Sequence, residues 1–237
     1  MDQRGGDAAS SDLRDLNLAA SPVKPHNCEI CVEFDAAQAP EHYLFRGVPQ
    51  AGRILVRTDH FVLVPDYAPL TRGHLLLFSR VHTLSMADYL ALGGTHASDL
   101  VQVLERYTQR YGAPMIIEHG STLEIERESP CIAHAHFHLL PFAAADFTYE
   151  FERDLGASAT TATWTDLPQV SGREYVLVGT KESVALAVNW RPPARQYARS
   201  LVGRTLGLST SQTYSDSCIM PDVVAATIQE WNADDVK

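Results

Sequence analysis

Three histidines stand at every second position of one otherwise apolar stretch: His134, His136 and His138. Side chains two residues apart on a β-strand point to the same side of the sheet, so the three imidazoles share one face. The residues between them are apolar and point to the other side, into a core: Ala135, Phe137 and Leu139. The stretch therefore predicts a strand with one chemically active face and one buried face.

The alternative interpretation is a row of surface histidines on the wet face of an antiparallel strand. A solvated strand face more usually carries Thr, Lys or Glu, whereas this stretch alternates histidine with apolar residues. The pattern consequently favours a functional face.

Composition limits the classes of function open to the chain. With 237 residues, 45% hydrophobic and 20% charged, it can form one sizeable domain with additions or two small ones. A net charge of -10 argues against general nucleic-acid binding but leaves a phosphate-bearing substrate possible, because a small site can be locally positive. Met1 to Ala20 contain no apolar signal core, and no run of about 18 apolar residues exists. We therefore expect a cytoplasmic location and no membrane partner.

The chain has four cysteines, which are too few for a disulfide scaffold in a protein of this length. Two of them, Cys28 and Cys31, form a C-x-x-C pair whose thiolates lie within reach of one metal ion. Two buried cysteines or a thioredoxin-type redox pair are the alternatives. No strand and helix follow the pair to support the redox interpretation, and a metal site requires two further ligands.

Local patterns divide the chain into segments. Residues 1–24 are polar and small and predict a flexible arm. Alternating or apolar runs predict strands at Arg53–Arg57, His60–Pro65, His74–Ser79 and Ala113–Glu118, with a helical region between Leu84 and Gly112. Further along, the sequence predicts a hairpin of Tyr175–Val178 and Val184–Val188, a helix over Ala194–Leu206 and a last helix from Pro221 towards Trp231.

The sequence His-Ala-His-Phe-His-Leu-Leu resembles the H-φ-H-φ-H-φ-φ signature of the histidine triad superfamily of nucleotide hydrolases and transferases. The resemblance covers about half of the chain, roughly residues 27–141. It implies an α+β fold, with an antiparallel sheet and packed helices, for a histidine triad domain at residues 25–145. We expect residues 146–237, called the C-terminal extension below, to be an added α/β segment packed on that domain.

The resemblance assigns three catalytic histidines. His136 matches the family's nucleophile, which attacks the α-phosphorus of a nucleotide, and His138 matches the histidine that contacts the phosphoryl oxygens. His74 matches a fourth histidine, on the neighbouring strand near the phosphate. A half-buried strand histidine with its hydrogen bonds satisfied is the alternative for His74.

Three further residues are candidates for substrate binding. Asp66 stands eight residues before His74, where the family places a residue that binds ribose hydroxyls; a turn-forming aspartate after Pro65 is an equally good interpretation. His119 and Ser129 are the other two candidates. The chain departs from the family pattern at two positions, with Glu118 in place of Asn and Cys131 in place of Ser or Thr. His119 and Ser129 are candidates because they stand close to these positions and could supply the missing contacts. An ordinary loop histidine and loop serine are the favoured alternatives for these two.

A metal site follows from the same resemblance. Zinc-bearing branches of the family, including the galactose-1-phosphate uridylyltransferases, place their ligands at positions matching Cys28, Cys31, His82 and His134. Two thiolates and two neutral imidazoles suit tetrahedral zinc. A closed site of this kind predicts a structural zinc that ties the amino-terminal segment to the histidine strand.

The resulting functional prediction is a hydrolase of nucleoside 5'-phosphoryl compounds that releases a nucleoside monophosphate through a nucleotidyl-histidine intermediate. His138 favours hydrolysis, since the uridylyltransferase branch has Gln at that position. A nucleotidyltransferase or phosphorylase using the same histidine is the first alternative, and a non-catalytic nucleotide-binding zinc module is the second. The resemblance also implies a homodimer. The sequence does not name the base, the leaving group or the pathway.

Overall fold

A computed structural model of the chain describes residues 28–34, 53–122, 132–155, 160–190, 196–209 and 220–233. Eight strands of the described residues form one antiparallel sheet, in the order β1-β2-β3-β5-β4-β7-β8-β6. The strands are β1 (Val56–Arg57), β2 (Phe61–Pro65), β3 (Leu75–Ser79), β4 (Met115–Gly120), β5 (His136–Leu140), β6 (Thr160–Ala162), β7 (Tyr175–Gly179) and β8 (Val184–Val188).

Helices cover both faces of this sheet. In the same residues they are α1 (Glu29–Phe34), α2 (Met86–Ala91), α3 (His96–Tyr111), α4 (Ala144–Leu155), α5 (Tyr197–Thr205) and α6 (Pro221–Asn232), with a 3-10 helix at Leu167–Val170. An antiparallel sheet with helices packed on it confirms the predicted α+β class.

Each face of the sheet has its own apolar cluster. Helix α3 buries an apolar stripe against one face of the sheet, in the same cluster as the apolar side chains of β5. The stripe consists of Leu100, Val103, Leu104 and Tyr107. Helices α4 and α5 pack on the opposite face, where their cluster includes Phe151, Leu201, Met115, Ile117 and Val178. Because Ile117 pairs with His138 across the sheet, this second face is also the face of the histidines.

The C-terminal extension continues the sheet of the preceding residues. Strand β7 pairs with β4 through five residue pairs, from Ile116–Gly179 to Gly120–Tyr175, and β8 then pairs with β7. The predicted boundary between residues 145 and 146 thus lies inside α4, and the strands before and after it belong to the same sheet.

The structure changes several of the predicted elements. The single helical region between Leu84 and Gly112 is two helices, α2 and α3, separated by a segment that contains Gly93 and Gly94, which are poor helix formers. Helix α4 was not predicted, although the sequence places Phe147, Phe151 and Leu155 four residues apart, at helical spacing. The predicted arm, residues 1–24, lies outside the described residues.

Residues 66–74, the β2–β3 loop, are held from three sides. Tyr107 of α3 donates a hydrogen bond of 2.8 Å to the carbonyl of Gly73. Arg72 pairs with Glu230 of α6 at 2.8 Å, and the backbone N–H of Met220 donates to the Tyr67 carbonyl at 3.3 Å. The C-terminal extension therefore supports the loop that leads into His74.

No helix among the described residues is long and apolar enough to cross a bilayer.

We expect Gly73→Ala to destabilise the fold more than Gly172→Ala. Both glycines have positive φ, 76° and 73°, where an alanine costs about 1–2 kcal/mol. A Cβ at residue 73 would also lie 2.9 Å from Cδ1 of Tyr111, whereas nothing lies within 4 Å of a Cβ at residue 172. Urea unfolding of both variants measures the difference, and equal losses would contradict the close packing at Gly73.

Candidate functional site

Two of the three histidines lie on the predicted strand: β5 begins at His136, and His134 lies in a bend just before it. His136 pairs with Phe78 of β3, and His138 pairs with Leu76 of β3 and Ile117 of β4. Phe137 and Leu139 point to the α3 side and are fully buried. Alternation along β5 thus anchors the strand on one face and presents the imidazoles on the other.

The protonation of His136 is set by the backbone of its own strand. Its Nδ1–H donates to the carbonyl of His134 over 2.7 Å, which leaves Nε2 with the free lone pair. Burial lowers the pKa of His136 to about 4, so the ring is neutral at pH 7. A neutral imidazole with an unprotonated Nε2 is the form that can act as a nucleophile.

His74 and His138 form a chain of hydrogen bonds with defined direction. The backbone N–H of Leu70 donates to Nδ1 of His74 at 3.2 Å, so the neutral ring carries its proton on Nε2. That Nε2–H donates to Nδ1 of His138 at 3.0 Å. His138 consequently keeps its own proton on Nε2 and can donate it outward. Burial lowers the pKa of both rings, to about 4 for His74.

Asp66 lies behind this chain and is paired with an arginine of the C-terminal extension. Its carboxylate, in a residue only 2% exposed, accepts from Nη1 of Arg199 at 2.5 Å and from the backbone N–H of Ala68 at 3.0 Å. It also lies 3.5 Å from Nε2 of His74. Burial alone would raise the pKa of Asp66, but Arg199 and His74 outweigh it and bring the pKa below its usual value.

The ribose-binding role of Asp66 stays a prediction, and it must now account for Arg199. In this arrangement both carboxylate oxygens already accept hydrogen bonds from protein groups. Ala68 N–H makes an Asx-type turn contact, which is the turn-forming role weighed from the sequence.

Asp66, His74 and His138 also have the residue types of a metal site, and their ligand atoms lie within 4.8 Å of one another. Two observations argue against a cation between them. Leu70 N–H places the proton of His74 on Nε2, the atom that would have to bind the ion. The guanidinium of Arg199 already supplies a positive charge at the carboxylate.

A second cluster joins the amino-terminal helix to the histidine strand. The structure brings together the four predicted ligands, Cys28, Cys31, His82 and His134. Nδ1 of His134 lies 3.4 Å from Sγ of Cys28 and 3.6 Å from Sγ of Cys31, and Nδ1 of His82 lies 3.5 Å from Sγ of Cys31. Ligands at about 2.3 Å (S) and 2.0–2.1 Å (N) around tetrahedral zinc stand about 3.6 Å apart, so the cluster fits such an ion.

A second contact orients one of these ligands, and the ligands also shift the pKa values of each other. Nε2–H of His134 donates to the carbonyl of Ser79 at 2.7 Å, which leaves Nδ1 unprotonated and facing the two sulfurs. The hydrogen bond from the Cys31 thiol lowers the pKa of Cys28, with His134 acting in the same direction, and it raises the pKa of Cys31. Thiolate and imidazole donors of this kind suit zinc.

Side chains alternate along β4, so His119 and Glu118 lie on opposite faces of the sheet. His119 is on the histidine face, and its Nε2 lies 3.6 Å from Glu174. Glu118 is on the opposite face, where it accepts from the N–H of Met86 at 2.7 Å and from the Tyr175 hydroxyl at 2.5 Å. It binds the amino end of α2 and is directed away from the histidines. Ser129 and Cys131 lie outside the described residues.

Arg199 is the residue of this site that sequence reasoning missed. It lies 133 positions from Asp66, and no spacing rule links two residues so far apart. Its only signal is a basic residue within the predicted helix Ala194–Leu206, close to the apolar residues Leu201 and Val202.

The sequence matches no protein family model and no curated protein. The solved structures that are similar to the chain include the following three. A hypothetical histidine triad nucleotide-binding protein from Sulfolobus tokodaii is 18% identical, with 48% of this chain and 68% of that chain covered and a TM-score of 0.32. A Zn-bound histidine triad family protein from Mycobacterium smegmatis is 18% identical, with 52% and 79% covered and a TM-score of 0.34.

The third is a Hit-like protein involved in cell-cycle regulation from Bartonella henselae, with an unknown ligand. It is 16% identical, with 37% of this chain and 67% of that chain covered and a TM-score of 0.28. The function of the present chain accordingly has to be argued from the geometry of its own site.

We expect the stability of the protein to depend on pH through Glu118, which is 2% exposed. Burial raises its pKa from 4.5 to about 8 in the fold, so between these values the folded chain holds a proton that the unfolded chain has lost. The contribution of Glu118 to the free energy of unfolding should therefore fall as pH rises through this window, by up to about 1.4 kcal/mol per pKa unit.

Glu118→Gln removes the titrating group and should remove this contribution; its amide oxygen can still accept from the Met86 N–H, and its amide N–H can donate to the Tyr175 oxygen. Glu182→Gln, at a side chain 64% exposed, is the control and should leave it unchanged. Urea unfolding at pH 5 and pH 8 measures the effect. A constant difference between Glu118→Gln and the wild type at the two pH values would show that Glu118 is ionised throughout.

Proposed function

We propose that the chain is a histidine triad protein that hydrolyses nucleoside 5'-phosphoryl compounds and releases a nucleoside monophosphate. One observation carries the proposal: His136 has Nδ1 bonded to a backbone carbonyl and Nε2 free, beside His138, whose Nε2 carries a proton. A nucleophile and a donor thus stand two residues apart on one strand face. This combination suits attack on phosphorus, where negative charge has to be stabilised as bonds exchange.

The reaction proceeds in two displacements at phosphorus. The Nε2 lone pair of His136 forms a bond to the α-phosphorus, and the bond from phosphorus to the leaving group breaks, with its electron pair passing to that group. Water then forms a bond to phosphorus and loses one proton to the solvent, and the nitrogen–phosphorus bond breaks and returns its electron pair to Nε2. His138 donates its Nε2–H to a phosphoryl oxygen during both steps.

Loss of each histidine should have a distinct effect. His136→Ala removes the nucleophile, so we expect no turnover with nucleotide binding retained. His138→Ala removes one donor, so turnover should fall by about 100-fold. His60→Ala, at the residue just before β2, is the control and should keep wild-type turnover. Release of the monophosphate from phosphoramidate, dinucleoside polyphosphate and nucleotide-sugar substrates measures turnover. Activity of His136→Ala within tenfold of the wild type would exclude it as the nucleophile.

The acceptor can be identified with labelled water. If the second displacement uses water, turnover in oxygen-18 water places one heavy oxygen in the monophosphate. Product that lacks the label, and that forms only when orthophosphate or a sugar phosphate is added, would instead identify a phosphorylase or nucleotidyltransferase. Nucleotide binding without turnover on any of these substrates would favour the non-catalytic zinc module.

Zinc is part of the same proposal. Cys28, Cys31, His82 and His134 would hold it as a structural ion, since four protein ligands leave no open position for substrate. The ion would tie α1 to β5 and would thereby support the strand that carries His136.

We expect the purified chain to contain about one zinc ion. Cys31→Ser and His82→Ala should lower both the zinc content and the melting temperature, at about 2–4 °C for each kcal/mol lost in a chain of this size. His60→Ala, at a histidine outside the cluster, should leave the zinc content unchanged. Elemental analysis and thermal unfolding test this, and a metal-free wild type with the same melting temperature as Cys31→Ser would remove zinc from the proposal.

The homodimer and the cytoplasmic location stay predictions that rest on resemblance and composition. Within the described residues, β1 and β6 are the two strands with one unpaired edge. Strand β4 has no unpaired edge, because it pairs with β5 on one side and with β7 on the other. A dimer of this chain would therefore have to use a surface other than that edge of β4.

A further inference from the structure

Among the described residues, Arg199 is one of two arginines that are only 5% exposed, the other being Arg53. It is the third residue of α5, and its guanidinium bridges two groups near the start of the β2–β3 loop. Nη1 donates to Oδ2 of Asp66 and Nη2 donates to the carbonyl of Ala68, each at 2.5 Å. A planar guanidinium makes the two bonds from two nitrogens in a fixed arrangement, whereas an ammonium group has a single nitrogen for both.

Burying this ion pair is costly, and a well-packed apolar pair would stabilise the fold as well or better. Stability alone therefore does not explain why a buried arginine meets a buried aspartate here. The pair does, however, adjoin the hydrogen-bond chain from Leu70 through His74 to His138, since Asp66 lies 3.5 Å from Nε2 of His74.

We propose that Arg199 is a positioning residue for the histidines: it holds the β2–β3 loop and supplies the counter-charge that keeps His74 and His138 neutral. This proposal rests on the proposed function for its kinetic consequence only. Without Arg199, the buried carboxylate of Asp66 would lack its counter-ion, and His74, 3.5 Å away, would gain a proton to replace it. A second proton on His74 would fall on Nδ1 and break the bond from Leu70.

The charged and titratable groups that face His74 are few among the described residues. They are Asp66 after β2, His136 and His138 on β5, and Arg199 on α5. Burial is the main cause of the low pKa of His74; Asp66 opposes it, and Arg199 and His136 add to it. Helix α3 contributes Tyr107, whose hydroxyl bonds the Gly73 carbonyl on the other side of the loop.

The test compares two arginines of the same helix. Arg199→Gln should lower kcat by roughly 10- to 100-fold with little change in KM, and should move the acid limb of the pH profile upward by about one unit or more. Arg204→Gln removes an exposed arginine that pairs with Asp154, and should change neither. Arg199→Lys keeps the charge and should recover most of the pH profile but not all of kcat.

A double variant separates the counter-charge from the fold. Asp66→Asn with Arg199→Gln leaves a neutral pair, so the pH profile should return to that of the wild type even if Arg199→Gln alone folds poorly. If Arg199→Gln folds and matches Arg204→Gln in kcat and pH profile, the proposal is wrong. It is equally wrong if Arg199→Lys shows the same shifted profile as Arg199→Gln.

A measurement without substrate keeps this proposal distinct from the proposed function. Nuclear magnetic resonance titration of the His74 ring in the full chain, assigned with His74→Gln, should show proton uptake at higher pH in Arg199→Gln than in Arg204→Gln. That difference would stand even if the wild type turned over no nucleoside 5'-phosphoryl compound. Identical titrations of the two variants would overturn the counter-charge role whatever the activity.

Discussion

A neutral imidazole has one N–H donor and one acceptor nitrogen, and the site depends on this constraint. Backbone groups fix the proton of each ring: the Leu70 N–H for His74, the His134 carbonyl for His136 and the Ser79 carbonyl for His134. The tautomer of His138 is set in turn by the Nε2–H of His74, which donates to Nδ1 of His138. Because backbone positions are set by the sheet and the β2–β3 loop, the chemistry of the site is a direct product of the fold.

Strand alternation explains how much of this could be predicted from the sequence. The period of two along His134–Leu139 was sufficient to place His136 and His138 on one face and Phe137 on the other. The same rule, applied to β4, separates His119 from Glu118. Local periodicity and turn residues likewise predicted most strands and the last helix, since these depend on neighbouring residues alone.

What could not be predicted depends on contacts between distant parts of the chain. The pairing of β7 with β4 and the bond from Arg199 to Asp66 join segments that local patterns do not connect. The start of α2 is a similar case. Glu118 and the Tyr175 hydroxyl receive the N–H groups of Met86 and Ala87 at the start of α2, so tertiary contacts help to set where that helix begins.

The short outer strands of the sheet bear on how the protein behaves at high concentration. Where a sheet ends, unpaired backbone groups can recruit a strand from another molecule, and long, flat outer strands are the most exposed to this. Here the strands at the two ends of the described sheet are β1 and β6, with two and three residues. The longer strands β2, β3, β4, β5, β7 and β8 are paired on both sides. The order of the strands thus limits the backbone available for association between sheets.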